Sequence, residues 1–172
     1  MTSPKIWHLF LLFISLLSFK LLHAQDTLVI DAALPESEFH VAINPTDTNN
    51  IIVATMHGKG VTNDLRIYYT FDQGASWQTS SFNGVHPNYQ GAGDPVLDFD
   101  AYGNAYLVNL SLFGGYSAVL SKSTDGGATW QLGTSIFLVP PDKPWLAVDR
   151  SSSSLYKDNI YLPFVNQFAG PV

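Results

Sequence analysis

Cysteine is absent from the 172-residue chain. With it go disulfides, zinc–thiolate sites and thiol nucleophiles. Basic charge is scarce: eight Lys and Arg stand against fourteen Asp and Glu, a net charge of -6. Binding nucleic acid needs Lys and Arg clustered against phosphate. These eight are scattered, so no nucleic-acid partner is expected. The five histidines include no i, i+4 pair, and no metal or cofactor is expected. No segment beyond the N-terminal stretch has sustained helical periodicity with caps.

Long apolar runs are also missing, apart from one at the start. "MTSPKIWHLFLLFISLLSFKLLHAQD" places Lys5 before an apolar run from Ile6 to Phe19, then "LLHA". A basic start, a short apolar core and a small residue before the cut make a secretory signal. Cleavage is expected after Ala24, giving a signal peptide over 1–24 and a mature chain over 25–172. Lys20 interrupts the run, and a membrane span takes about 20 apolar residues. The other reading of this segment is an uncleaved anchor helix. The mature chain is expected to be secreted, periplasmic or at the cell surface, with no membrane span after cleavage.

What is present suits strands and turns. Apolar residues make up 46%, aromatics 13%, and there are 13 glycines. The pattern [Ser/Thr]-x-Asp-x-Gly-x-[Ser/Thr]-Trp occurs twice, as "TFDQGASW" (70–77) and "STDGGATW" (123–130). Its fixed positions are Thr70, Asp72, Gly74, Ser76 and Trp77, then Ser123, Asp125, Gly127, Thr129 and Trp130. Similar strand pairs precede each box, and another, "DKPWLAVDRSSSSLYKDNIYLPFVN", follows the second. The repeat period is ~50 residues, with four short strands per unit, which is the signature of β-propeller blades. Blade 1 is expected over about 37–83, blade 2 over about 93–138 and a partial blade 3 over about 142–172. The fold expected is therefore an all-β propeller of four-stranded antiparallel blades, incomplete here. The remainder is expected beyond Val172; the alternative is a short product completed by oligomerising.

The two boxes resemble the Asp-box, or BNR, repeat of sialidase-like β-propellers, exported bacterial members in particular. The physical reading of the box is a turn. Asp can accept bonds from amides just ahead, Gly supplies a positive φ and Trp buries a ring where blades meet. The resemblance puts an active site at the opposite end, among the blade connections and second-to-third loops. It also implies a glycan-directed protein akin to sialidases and other glycoside hydrolases. The family's Arg-Ile-Pro motif is unmatched: the chain has only Arg66, which begins "RIYY", and Arg150. The alternatives are a non-catalytic propeller that binds carbohydrate or protein at the cell surface, or a purely architectural repeat.

On the functional end, Asp94 and Asp142 recur near the start of successive inner strands, each close to a proline. Paired acids can flank a sugar; the other reading is a backbone contact at strand entry. They are the catalytic candidates. Arg66, His57, Lys143 and Tyr116 are the candidates for holding substrate, and Tyr89, Phe113 and Tyr116 are possible stacking platforms. "DFDAYGN" (98–104) has alternating Asp but no closing Glu, and reads as a strand end and turn rather than a calcium loop.

Overall fold

The computed structural model describes residues 35–59, 62–82, 92–111, 117–131, 133–136 and 141–166. The expected signal segment, Tyr89, Phe113 and Tyr116 lie outside these residues. Every element described is a strand. Blade 1 is β1 (Glu36–Ile43), β2 (Ile51–Lys59), β3 (Thr62–Thr70) and β4 (Gln78–Thr79), in that order and antiparallel. Blade 2 repeats it with β5 (Ala92–Phe99), β6 (Ala105–Ser111), β7 (Ser117–Ser123) and β8 (Thr134–Ser135). Part of blade 3 follows as two strand pairs, β9 (Pro141–Asp142) with β12 (Val165–Asn166) and β10 (Ala147–Val148) with β11 (Ile160–Tyr161). The Trp145 amide donates to the Pro163 carbonyl at 2.9 Å, which bridges the gap between the two pairs.

Strand alternation sets the layers. Ile52, Ala54, Leu65 and Ile67 of blade 1 meet Leu97, Phe99, Ala105 and Leu107 of blade 2, all buried. The other face of blade 2 turns Val96 and Val108 toward Leu146 of blade 3. Burying each such Leu, Ile or Phe contributes about 1.5–3 kcal/mol. The apolar core thus lies between blades, and each sheet is held by its neighbours.

The boxes close the β3–β4 and β7–β8 connections. Thr70 Oγ1 donates to Asp72 Oδ1 (2.6 Å) and accepts from the Gly74 amide (3.1 Å). Asp72 accepts from the Ser76 amide (2.8 Å) and the Ser76 hydroxyl (2.6 Å). Ser123, Asp125, Gly127 and Thr129 repeat every one of these bonds. Bonds from Ser76 and then Thr70 hold the Asp72 carboxyl at about 2. For Asp125, burial pushes upward, but bonds from Thr129 and Ser123 outweigh it and the net shift is down. Trp130 is half-buried, donates from Nε1 to the Gly127 carbonyl (3.1 Å) and packs against Phe82 of blade 1. Both box carboxylates are therefore engaged by their own turns.

Two elements differ from the sequence expectation. The outer strands β4 and β8 have two residues each, and one further backbone bond follows each, Ser80 to the Ile67 carbonyl and Ile136 to the Ala118 carbonyl. The second-to-third loop of blade 1, expected over His57 to Asp64, is mostly strand: the β2–β3 ladder runs unbroken to Lys59↔Thr62. His57 and Asp64 pair across it, with Glu36 facing His57 from β1.

Candidate functional site

In antiparallel blades the boxes and the first-to-second turns share one end. The entries of the inner strands lie at the other. Each inner strand begins there with the same irregularity. Register shifts separate Ser37 from His40 in β1 and Gly93 from Val96 in β5. Within these bulges Glu38 has φ 54° and Asp94 has φ 48°; Lys143, in the gap between β9 and β10, has φ 49°. A left-handed conformation in such residues costs about 1–2 kcal/mol. Backbone strain of this kind gathers at ligand sites.

The three bulges are linked from blade to blade. The Asp94 amide donates to Glu38 Oε2 at 2.8 Å, and the Lys143 amide donates to Asp94 Oδ2 at 3.3 Å. One layer inward, the Leu97 amide donates to His40 Nδ1 (3.1 Å) and the Val148 amide to Asp98 Oδ2 (2.8 Å). Each blade thus offers a side-chain acceptor to the next blade's backbone.

A groove of about 400 Å³ crosses these entries, lined by the triplets Glu38–Phe39–His40, Asp94–Pro95–Val96 and Lys143–Pro144–Trp145. Trp145 is 58% exposed and meets His40 edge to face, with ring centroids 5.5 Å apart. Lys143 Nζ is 3.9 Å from Asp94 Oδ2 and mostly in solvent, so the pair adds little stability. Burial lowers the His40 pKa, with Asp98 opposing, so the ring is neutral at neutral pH. Its Nδ1 accepts a backbone bond, which leaves the proton on Nε2. The groove therefore combines two carboxylates, a neutral imidazole, an ammonium and exposed aromatic surface.

The sequence candidates divide on this geometry. Asp94 and Lys143 line the groove, and Tyr116 lies outside the described residues. Asp142 does not line it: it pairs with Val165, in the place that Gly93 holds in blade 2. The residue equivalent to Asp94 is Lys143, because each occupies the left-handed position before a proline. His57 is wholly buried, with its Nδ1 3.9 Å from Glu36 Oε1, and cannot meet a ligand from solvent. That Glu36 carboxylate also accepts from Tyr68 Oη (2.7 Å) and Thr55 Oγ1 (3.2 Å). Arg66 sits beside Tyr68 on this sheet face and is not part of the groove lining. Sequence reasoning assigned no role to Glu38, His40 or Trp145. Trp145 follows Lys143-Pro144, and the chain's other such entry, Asp94-Pro95, was the available signal.

The "DFDAYGN" turn is closed by its own bonds. Asp100 accepts from the Tyr102 and Asn104 amides, both at 2.9 Å, and Asp98 accepts from Arg150 Nη1 at 2.9 Å. Among the described residues no cluster of His, Asp and Glu is arranged to hold a metal ion.

Repeated four-stranded antiparallel blades, packed face to face with box turns at one end, define a sialidase-like β-propeller, present here as two full blades and part of a third. The solved structures similar to it include the Hadza microbial sialidase Hz136, at 13% identity and a TM-score of 0.51, covering 66% of this chain and 26% of that one. Another is a protein of unknown function from Dyadobacter fermentans DSM 18053, at 16% identity and a TM-score of 0.49, covering 68% of this chain and 44% of that one. No family model and no curated protein matches the chain. The chain thus spans less than half the length of either structure.

Proposed function

We propose that the chain is part of an exported Asp-box propeller whose three-blade groove binds carbohydrate. The observation that carries this reading is the groove itself: carboxylates from two blades converge with an exposed Trp145 on the end away from the boxes. Ligand sites combine apolar and aromatic walls with a few placed polar groups. A sugar ring has an apolar C–H face for Trp145 and hydroxyls for Glu38 and Asp94. The likeness to a sialidase supports the fold in which such a site is built. Binding is favoured over hydrolysis because Glu38 and Asp94 each commit a carboxylate oxygen to a backbone amide between blades.

Titration of the chain with a panel of soluble oligosaccharides, followed by tryptophan fluorescence, tests this. At least one sugar should quench or shift the emission, and Trp145→Ala should weaken that binding about tenfold or more. Sugar binding that is indifferent to Trp145 would move the site elsewhere. Release of reducing ends during the titration would make the chain a hydrolase instead.

A further inference from the structure

We propose that this groove selects an uncharged hexopyranose over a sialic acid or any other anionic sugar. The inference rests on the glycan reading above and adds the substrate class. Glu38 and Asp94 bring two negative charges to the groove, and Lys143 brings one positive charge already beside Asp94. His40 adds no charge at neutral pH. An entering carboxylate thus meets a net negative wall.

The groups that would outweigh that repulsion are committed elsewhere. A carboxylate is read best by the forked guanidinium of arginine. The chain has two arginines, and neither lines the groove. Arg150 Nη1 donates to Asp98 Oδ1 at 2.9 Å and to the Phe99 carbonyl at 3.3 Å. Arg66 lies with Tyr68 on blade 1. Lys143 is a single point charge on a side chain 73% exposed, and offers no rigid fork of donors.

For a neutral sugar the same groups are complementary. Hydroxyls donate to the Glu38 and Asp94 carboxylates. His40 is held as the Nε2–H tautomer by the Leu97 amide and donates to a sugar oxygen. Trp145 and Phe39, 58% and 53% exposed, offer apolar surface to the ring. The left-handed backbone at Glu38 and Asp94 fixes where the two acceptors stand.

The test uses the whole chain at low ionic strength, titrated calorimetrically with cellobiose and lactose as neutral probes. The methyl α-glycoside of N-acetylneuraminic acid is the anionic probe. A neutral disaccharide should bind about tenfold tighter than the anionic sugar, or more. Trp145→Ala should weaken it about tenfold or more. In Glu38→Gln with Asp94→Asn, each new amide oxygen still accepts its backbone N–H while both charges go. That double variant should narrow the preference to about threefold or less. Tighter binding of the anionic sugar, with Trp145 still required, would overturn the selectivity and leave the glycan reading standing. A preference unchanged in the charge-free double variant would also overturn it. Absence of any Trp145-dependent sugar binding would sink both.

Discussion

Gly127 and Gly74 hold the same place in the two boxes but not the same neighbours. Both have a positive φ, +94° and +89°. A Cβ on Gly127 would lie 2.7 Å from Ile52 Cδ1 and 2.9 Å from its Cγ1, inside the core between blades. The atoms nearest a Cβ on Gly74 are those of the Trp77 ring, at 3.4–3.6 Å, an ordinary contact. Gly74→Ala therefore carries mainly the left-handed strain, about 1–2 kcal/mol. Gly127→Ala adds overpacking of about 1–3 kcal/mol. Thermal or urea unfolding should rank Gly127→Ala as clearly the more destabilising, and equal losses would mean that the second box does not seat on Ile52. The box pattern in the sequence was enough to assign both glycines a turn conformation. It was silent on Ile52, because that contact depends on how one blade stacks on the next.

Asn50, at the end of the β1–β2 turn, ties strand, box and neighbouring blade together. Its Nδ2 donates to the Thr70 carbonyl and to the Gly126 carbonyl, each at 3.0 Å, and its Oδ1 accepts from Asn44 Nδ2 at 3.1 Å. The residue is fully buried. Asn50→Leu would leave these groups without a partner and without water, at about 1–3 kcal/mol for each unsatisfied group. The expected result is a loss of about 3 kcal/mol or more, with faster amide exchange in both box turns. Exchange confined to the first box would show that the bond to Gly126 is dispensable. The entries of the inner strands show the limit of reading elements from sequence. Strands, turns and repeat were legible in β-branched runs and Gly-rich gaps. The alignment of Asp94 with Asp142 matched residue type, whereas the chain aligns Asp94 with Lys143 through backbone conformation. A left-handed Glu, Asp or Lys has no compositional mark, since the conformation is imposed by the bulge and the neighbouring blade. The groove was therefore only half visible: Asp94 and Lys143 were named as candidates, but not Glu38, nor the rule that sets Glu38, Asp94 and Lys143 in one row.

The molecule has two chemically different ends. The groove end carries the row of left-handed strand entries at Glu38, Asp94 and Lys143, with Trp145 beside them. The box end is fastened by carboxylates: Asp72 and Asp125 in the boxes, Asp100 in the β5–β6 turn and Asp149 in the β10–β11 turn. All four have lowered pKa values. Bonds from Ser76 and Thr70 account for Asp72, and bonds from Ser154 and Ser151 for Asp149. For Asp100 burial pushes upward, and bonds from Asn104, Tyr102 and Tyr106 outweigh it. Asp125 follows the same balance, with Thr129 and Ser123 as donors. A carboxyl whose folded pKa lies below its unfolded value stabilises the fold above the unfolded value and loses that contribution as pH falls through the folded one. For Asp72 the window runs from 3.8 down to about 2. Acid should therefore loosen the box end first, with the four turns opening together because each blade's turns lean on the next. Asn49 and Gln73 join two turns within blade 1, and Lys157 reaches Tyr102 from blade 3 to blade 2. Amide protection measured by NMR exchange between pH 5 and pH 2.5, each rate taken relative to the intrinsic rate at that pH, should fall at residues 72–76, 100–104 and 125–129 before it falls in the β2 and β6 strands. Asp72→Asn with Asp125→Asn should lower stability at neutral pH and flatten the acid limb, since two of the titrating groups are gone. Strands and turns that open together at one pH would show that these blades unfold as a single unit and that the box carboxylates do not set the order.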